Sequence, residues 1–164
     1  MKYYIIAGEA SGDLHASKLM AGIKKRDVQA EFRFWGGEKM KAVGGTLVKH
    51  YRDLAFMGFI EVIMNIRTIA HNLRFCKDDI LKFKPDAVIL VDYPGFNMRI
   101  AKYAKALGMN VFYYISPQVW ALKKRRVHSI HRDTDLAFVV LPFEKEFNAR
   151  YGYHVEFTGH PMPD

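Results

Sequence analysis

The chain has 164 residues, half of them hydrophobic, with 25 Lys and Arg against 17 Asp and Glu, a formal charge of +8. That length and apolar content support one domain with its own core, and nowhere do the roughly 18 or more apolar residues of a spanning helix run together. The lone cysteine, Cys76, excludes an internal disulfide and a cysteine-built zinc site and fits a reducing, cytoplasmic setting. The positive excess favours an anionic partner (nucleic acid, a phosphorylated small molecule or an acidic membrane surface) without choosing among them.

"KYYIIA" reads as a buried strand rather than a secretory signal, and Leu14 to Lys25 as a helix with Leu19, Met20 and Ile23 inward. "AEFRFWG" is a second strand, "AVGGTLV" a turn and short strand, and residues 58–83 one long helix or two abutting ones. "PDAVILVD" is the uninterrupted apolar run of a strand buried on both faces. Then come a helix over 98–107, the strand "NVFYYIS", a basic helix over 121–132, the strand "DLAFVVL", the helix "FEKEFNARYG" and a last strand, "HVEFTG". Strands alternating with amphipathic helices call for an α/β, doubly wound, Rossmann-like parallel sheet, with residues 1–164 as one domain.

Such sheets bind ligands beyond the carboxyl ends of their strands. The informative polar loops fall there: "GEASGDLH", "DYPGFN", "SPQVW", "LPFE" and "GHP" each follow a strand. "GEASGD" fits neither the dinucleotide fingerprint nor the Walker loop. Capping by Ser11 or Asp13, with Gly8 and Gly12 permitting the turn, explains part of it but leaves Glu9 and His15 unexplained. The alternative is a rim where backbone amides at a helix start meet an anionic or sugar ligand.

Asp92 stands at the mouth of the buried strand, a natural place for a general base, although Asp, Pro, Gly and Asn are also turn formers. Asn97 reads as a helix cap or a ligand contact. Ser116, Gln118 and Trp120 form the loop before the basic helix. In that helix Val127 and Ile130 point inward, while Lys123, Lys124, Arg125, Arg126 and Arg132 form either a solvated face or a phosphate contact. The histidines lack metal-ligand spacing, so no structural metal is expected. Nucleic acid is disfavoured because the basic helix lacks a helix-turn-helix context.

In the long helical segment, Phe59, Val62, Ile63, Ile66, Ile69, Ala70 and Leu73 form one broad stripe for the core. Ile60 and Met64 lie off it, in line with Arg67, His71 and Arg74. That second face, apolar at one end and basic at the other, suits an acylated, phosphorylated ligand or a bilayer, or else burial against the rest of the protein.

"AGEASGDLH", "MGFIEV", "DYPGFN", "SPQVWAL", "LPFEKEF" and "TGHP", in that order, closely resemble the lipid-A-disaccharide synthase family. The likeness implies the N-terminal, acceptor-side domain of a B-type (GT-B) glycosyltransferase, with a C-terminal UDP-sugar domain not in this chain. It implies the joining of UDP-2,3-diacylglucosamine to 2,3-diacylglucosamine 1-phosphate through a β-1,6 bond, without cofactor, at the cytoplasmic face of the inner membrane. Carried onto this sequence, Gly8, Glu9, Ser11, Gly12 and Asp13 are the glycine-rich loop. Asp92 leads as the base, with Asp13 and His15 behind it. Asn97, Ser116, Gln118 and Trp120 are substrate contacts, and Met57, Ile60, Met64 and Arg67 meet acyl chains or membrane. Two positions depart from the pattern: many members have Asp where this chain has Gly95, and Trp is common where it has Leu122.

Overall fold

The computed structural model describes residues 1–54, 66–115, 124–139 and 142–157. The chain is α/β, its strand pairings parallel, and it divides into two compact units, Met1–Asp86 and Ala87–Asp164.

The first unit runs β1 (Lys2–Ala7), α1 (Ala10–Arg26), β2 (Glu31–Gly36), α2 (Glu38–Val43), β3 (Thr46–His50), a 3-10 turn (Tyr51–Leu54) and α3 (Ile66–Phe83). Its strands lie in the order β3-β2-β1. Tyr4, Ile5, Ile6, Ala7, Phe34 and Trp35 are all fully buried, as expected for strands covered on both faces, and so is Met40 of α2. Helix α1 begins four residues earlier than its apolar pattern suggests, and its buried face is Gly12, Asp13, Ala16, Ser17 and Met20 rather than Leu19 and Ile23. Small side chains there let the helix axis approach the sheet, which a stripe of leucines would prevent.

The turn and short strand expected in "AVGGTLV" are present as Gly44, Gly45 and β3, but helix α2 just before them was not expected, because the group that starts it lies elsewhere in the chain. Gly44 and Gly45 end it with positive φ values of 134° and 89°. A Cβ on Gly45 would sit 2.5 Å from the Phe32 carbonyl oxygen, so only glycine fits.

Helix α3 faces the core with Asn72, Cys76 and Ile80. Ile66 and Ala70, expected in the core stripe, are exposed, and Arg67, His71 and Arg74, for which exposure and burial were both open, are exposed as well. Polar residues of this helix add hydrogen bonds to the apolar contact of Cys76 and Ile80. The Tyr4 hydroxyl donates to Asp79 Oδ2 at 2.7 Å and accepts from Trp35 Nε1 at 2.8 Å. Burial pushes the Tyr4 phenol and the Cys76 thiol well above their ordinary values, leaving both uncharged.

The second unit runs β4 (Ala87–Val91), α4 (Pro94–Ala106), β5 (Asn110–Tyr114), α5 (Lys124–Asp133), β6 (Leu136–Val139), α6 (Pro142–Ala149) and β7 (Glu156–Phe157). The strands are ordered β4-β5-β6-β7. All five residues of β4 are buried. Pro94 opens α4, where its missing N–H costs nothing and its fixed φ suits the first turn. Val127 and Ile130 of α5 point inward, as their spacing requires. Asp135 joins β5 to β6: its carboxylate pairs with Lys105 and accepts from the Val111 N–H at 2.7 Å.

Candidate active-site residues

In the first unit the turn after β1 delivers α1. Gly8 is half-buried, Glu9 and Ser11 are exposed, and Gly12 is buried. Glu9 occupies the N-cap with extended backbone, φ −144° and ψ 165°, and makes no side-chain cap bond. The amides of this first turn therefore carry the positive end of a 17-residue helix at an exposed edge. Neither Ser11 nor Asp13 caps α1.

Asp13 caps a different helix. It is 3% exposed, and its carboxylate accepts from the N–H groups of Gly37 at 2.8 Å, Met40 at 3.1 Å and Lys39 at 3.2 Å. These amides open α2, so a residue of α1 supplies the acceptor that α2 lacks locally. His15 follows half-buried on α1. Arg67 is exposed near the start of α3.

In the second unit the end of β4 is bent sharply. Asp92 and Tyr93 are consecutive left-handed residues, with φ 47° and 51°, and Ile115, just past β5, is a third, with φ 58°. Non-glycine residues rarely adopt this conformation, and a β-branched one least of all. Hydrogen bonds from both sides hold the bend. The Asp92 N–H donates to the Ile115 carbonyl at 3.2 Å. The Asp92 carbonyl accepts from the Tyr113 hydroxyl at 2.6 Å and from Asn97 Nδ2 at 2.9 Å. Asn97 is fully buried and also reaches the Val91 carbonyl at 3.4 Å, so its amide braces the turn. Asp92 itself is half-buried.

Sheet-end strain held by outside bonds is a feature of sites that fix a reactive group. Tyr93, Tyr113 and Ile115 were missed from sequence; left-handed backbone at non-glycine positions has no local signature. Beside this turn Gly95 is exposed, and among the described residues nothing beyond its own stretch of helix lies within 4 Å of where its Cβ would stand. Ser116, Gln118, Trp120, Met57, Ile60 and Met64 lie outside the described residues. Among the described residues no three His, Cys, Asp or Glu side chains cluster as metal ligands, and no helix is long and apolar enough to cross a membrane.

The family model for lipid-A-disaccharide synthetase matches residues 3–164. Lipid-A-disaccharide synthase of Trichlorobacter lovleyi is 42% identical over 98% of this chain and 42% of its own length. That of Syntrophus aciditrophicus is 43% identical over the same shares. The chain thus spans about two-fifths of the length of these curated relatives. Among solved structures, a UDP-GlcNAc 2-epimerase of Methanocaldococcus jannaschii, in complex with UDP-GlcNAc and UDP, superposes with a TM-score of 0.69 at 15% identity, over 97% of this chain and 46% of that one. MurG of Acinetobacter baumannii gives 0.58 at 10% identity, over 100% and 46%. At such identities the likeness is one of fold.

Proposed function

Because the chain belongs to the lipid-A-disaccharide synthetase family, we propose that it is the acceptor-side portion of an inverting hexosyltransferase of lipid A biosynthesis, completed by a C-terminal UDP-sugar domain. The family match over residues 3–164 carries this reading. The whole protein joins UDP-2,3-diacylglucosamine to 2,3-diacylglucosamine 1-phosphate, and this portion alone is close to inactive.

The step is a single displacement. Asp92 takes the proton of the acceptor's 6-hydroxyl. That oxygen bonds to the anomeric carbon as the bond to the diphosphate breaks with its electron pair, and UDP leaves. Support for Asp92 comes from the braced left-handed turn that fixes it beyond β4. The amides at the start of α1, at Ala10 and Ser11, suit a phosphate or sugar oxygen, with Gly8 permitting close approach. Asp13, whose oxygens already serve three amides, is assigned to positioning rather than proton transfer. His15, Asn97, Ser116, Gln118 and Trp120 complete the proposed substrate contacts. The family's Asp is Gly95 here, which makes Asp92 the nearest carboxylate of that loop.

The exposed row Arg67, His71 and Arg74, flanked by exposed Ile66, supports the amphipathic face that sequence spacing reads together with Ile60 and Met64, and we assign this face to the cytoplasmic surface of the inner membrane.

Turnover of full-length Asp92→Asn tests the base: a loss of about 10²–10⁴-fold is expected for removal of a general base, and near-normal turnover removes Asp92 from the role. Vesicle flotation of Ile60→Ser/Met64→Ser tests the membrane face, with unchanged binding counting against it.

A further inference from the structure

In the first unit, β3 and the N-terminal half of α3 line a cleft of about 400 Å³, formed by residues 47–50, Asp53, His71 and Phe75. That volume falls in the range of small-ligand sites. A regular strand turns alternate side chains to opposite faces. Here the pairing with β2 slips, Phe34 facing Leu47 and Trp35 facing Lys49, so that Val48 is the extra residue of a bulge. Bulges re-aim side chains, and four consecutive residues of β3 line the cleft.

The chemistry of the lining is specific. Lys49 Nζ sits 2.8 Å from Oδ1 of Asn72, a neutral side chain only 2% exposed, which orients the ammonium without cancelling its charge. His71 enters from α3, on the exposed row that also carries Arg67 and Arg74. Asp53 is the carboxylate of the lining, and Leu47, Val48 and the partly exposed Phe75 give it an apolar wall. Basic groups, one acid and an apolar wall match an amphiphile whose head carries both charges. A phosphate dianion would be repelled by Asp53, whereas a singly charged phosphodiester with a pendant ammonium can engage Lys49, His71 and Asp53 together; His50, the third basic group of the lining, lies 3.7 Å from Glu38.

We propose that this cleft takes the head of a phospholipid whose phosphodiester bears a primary ammonium. Lys49 and His71 hold the phosphate, Asp53 the ammonium, and Leu47 and Phe75 the glycerol and first acyl carbons. The inference rests on the reading that the α3 face meets the bilayer, and it names the lipid group gripped there, one that the transfer reaction does not consume.

The test titrates the full-length protein with sn-glycero-3-phosphoethanolamine, glycerophosphoglycerol and inorganic phosphate, followed by calorimetry or NMR. It also floats the protein with vesicles of phosphatidylcholine alone or mixed with phosphatidylethanolamine. The phosphoethanolamine head binds tightest, and Lys49→Gln and His71→Gln each weaken it about fivefold. Asp53→Asn erases its advantage over glycerophosphoglycerol. His71 is exposed, so His71→Gln carries the test if Lys49→Gln fails to fold. Inorganic phosphate binding as tightly, or variants binding like the parent, overturns the proposal. Equal flotation with both vesicles refutes the head group while leaving the bilayer reading intact; flotation with neither refutes both.

Discussion

Arg33 on β2 and Asp79 on α3 meet in a two-pronged ion pair, Nε on Oδ2 and Nη2 on Oδ1, each at 2.7 Å. The same carboxylate receives the Tyr4 hydroxyl, so one acid ties α3 to both β1 and β2. The bonds to Asp79 hold the Arg33 guanidinium above its ordinary value, outweighing its partial burial. Asp79→Ala leaves Arg33 and Tyr4 without their acceptor and is expected to lower unfolding stability by about 3 kcal/mol. Tyr4→Phe, which removes the hydroxyl that links the Trp35 N–H to Asp79, costs about 1–3 kcal/mol. Urea denaturation checks both, and a smaller loss for Asp79→Ala than for Tyr4→Phe would contradict the shared role of the carboxylate.

Asp13 is bonded as a structural acid, its carboxylate accepting from three backbone amides at the start of α2. Asp13→Ala strips the opening amides of α2 of their acceptor and should cost about 1–2 kcal/mol. Asp13→Asn, which keeps one oxygen, should cost less. The full-length variant's residual activity should follow its folded fraction; a loss of turnover in fully folded Asp13→Asn would return this residue to the chemistry.

The brace under Asp92 gives a different signature. Tyr113→Phe removes one of the bonds to the Asp92 carbonyl, at a cost of about 1 kcal/mol in stability. If Asp92 is the base, as proposed, the expected kinetic result in the full-length protein is a fall in kcat with little change in KM, because the carboxylate is misplaced while substrate contacts remain. Equal effects on stability and kcat/KM, with kcat unchanged, would speak against a positioning role.

His131 makes the second unit sensitive to acid. Its ring stacks on Tyr153 at 4.0 Å and lies 2.9 Å from Asn148 Oδ1. Burial, with His128 nearby, pulls it below the ordinary imidazole value of 6.5, although the bond to Asn148 pulls the other way. The unfolded chain then binds the proton more readily than the folded one. Stability from this residue is complete above 6.5 and declines as pH falls through the lower folded value. The urea midpoint of the parent should fall between pH 7.5 and 5.5 by more than that of His131→Gln; parallel profiles would rule the effect out.

What could be read from sequence follows a physical divide. The run "AVILV" announced a strand buried on both sides, and Val127 with Ile130 announced the inward face of α5, because both patterns are local and apolar. Helix α2 escaped notice because its cap comes from Asp13, 24 residues before the first amide it holds. The stripe assigned to α3 was displaced for a similar reason: hydrophobic spacing counts Ile66 and Ala70 as interior and overlooks Asn72, which is buried with Lys49 as its partner. Asp92 stood out because it follows a buried strand. The left-handed turn that holds it did not, since Asn97 and Tyr113 act on its backbone rather than on any recognisable motif.

The open space around Gly95 separates reactivity from architecture at this rim. A Cβ at this position meets none of the described residues, so a longer side chain, a carboxylate included, is expected to enter there without a shift of the surrounding backbone.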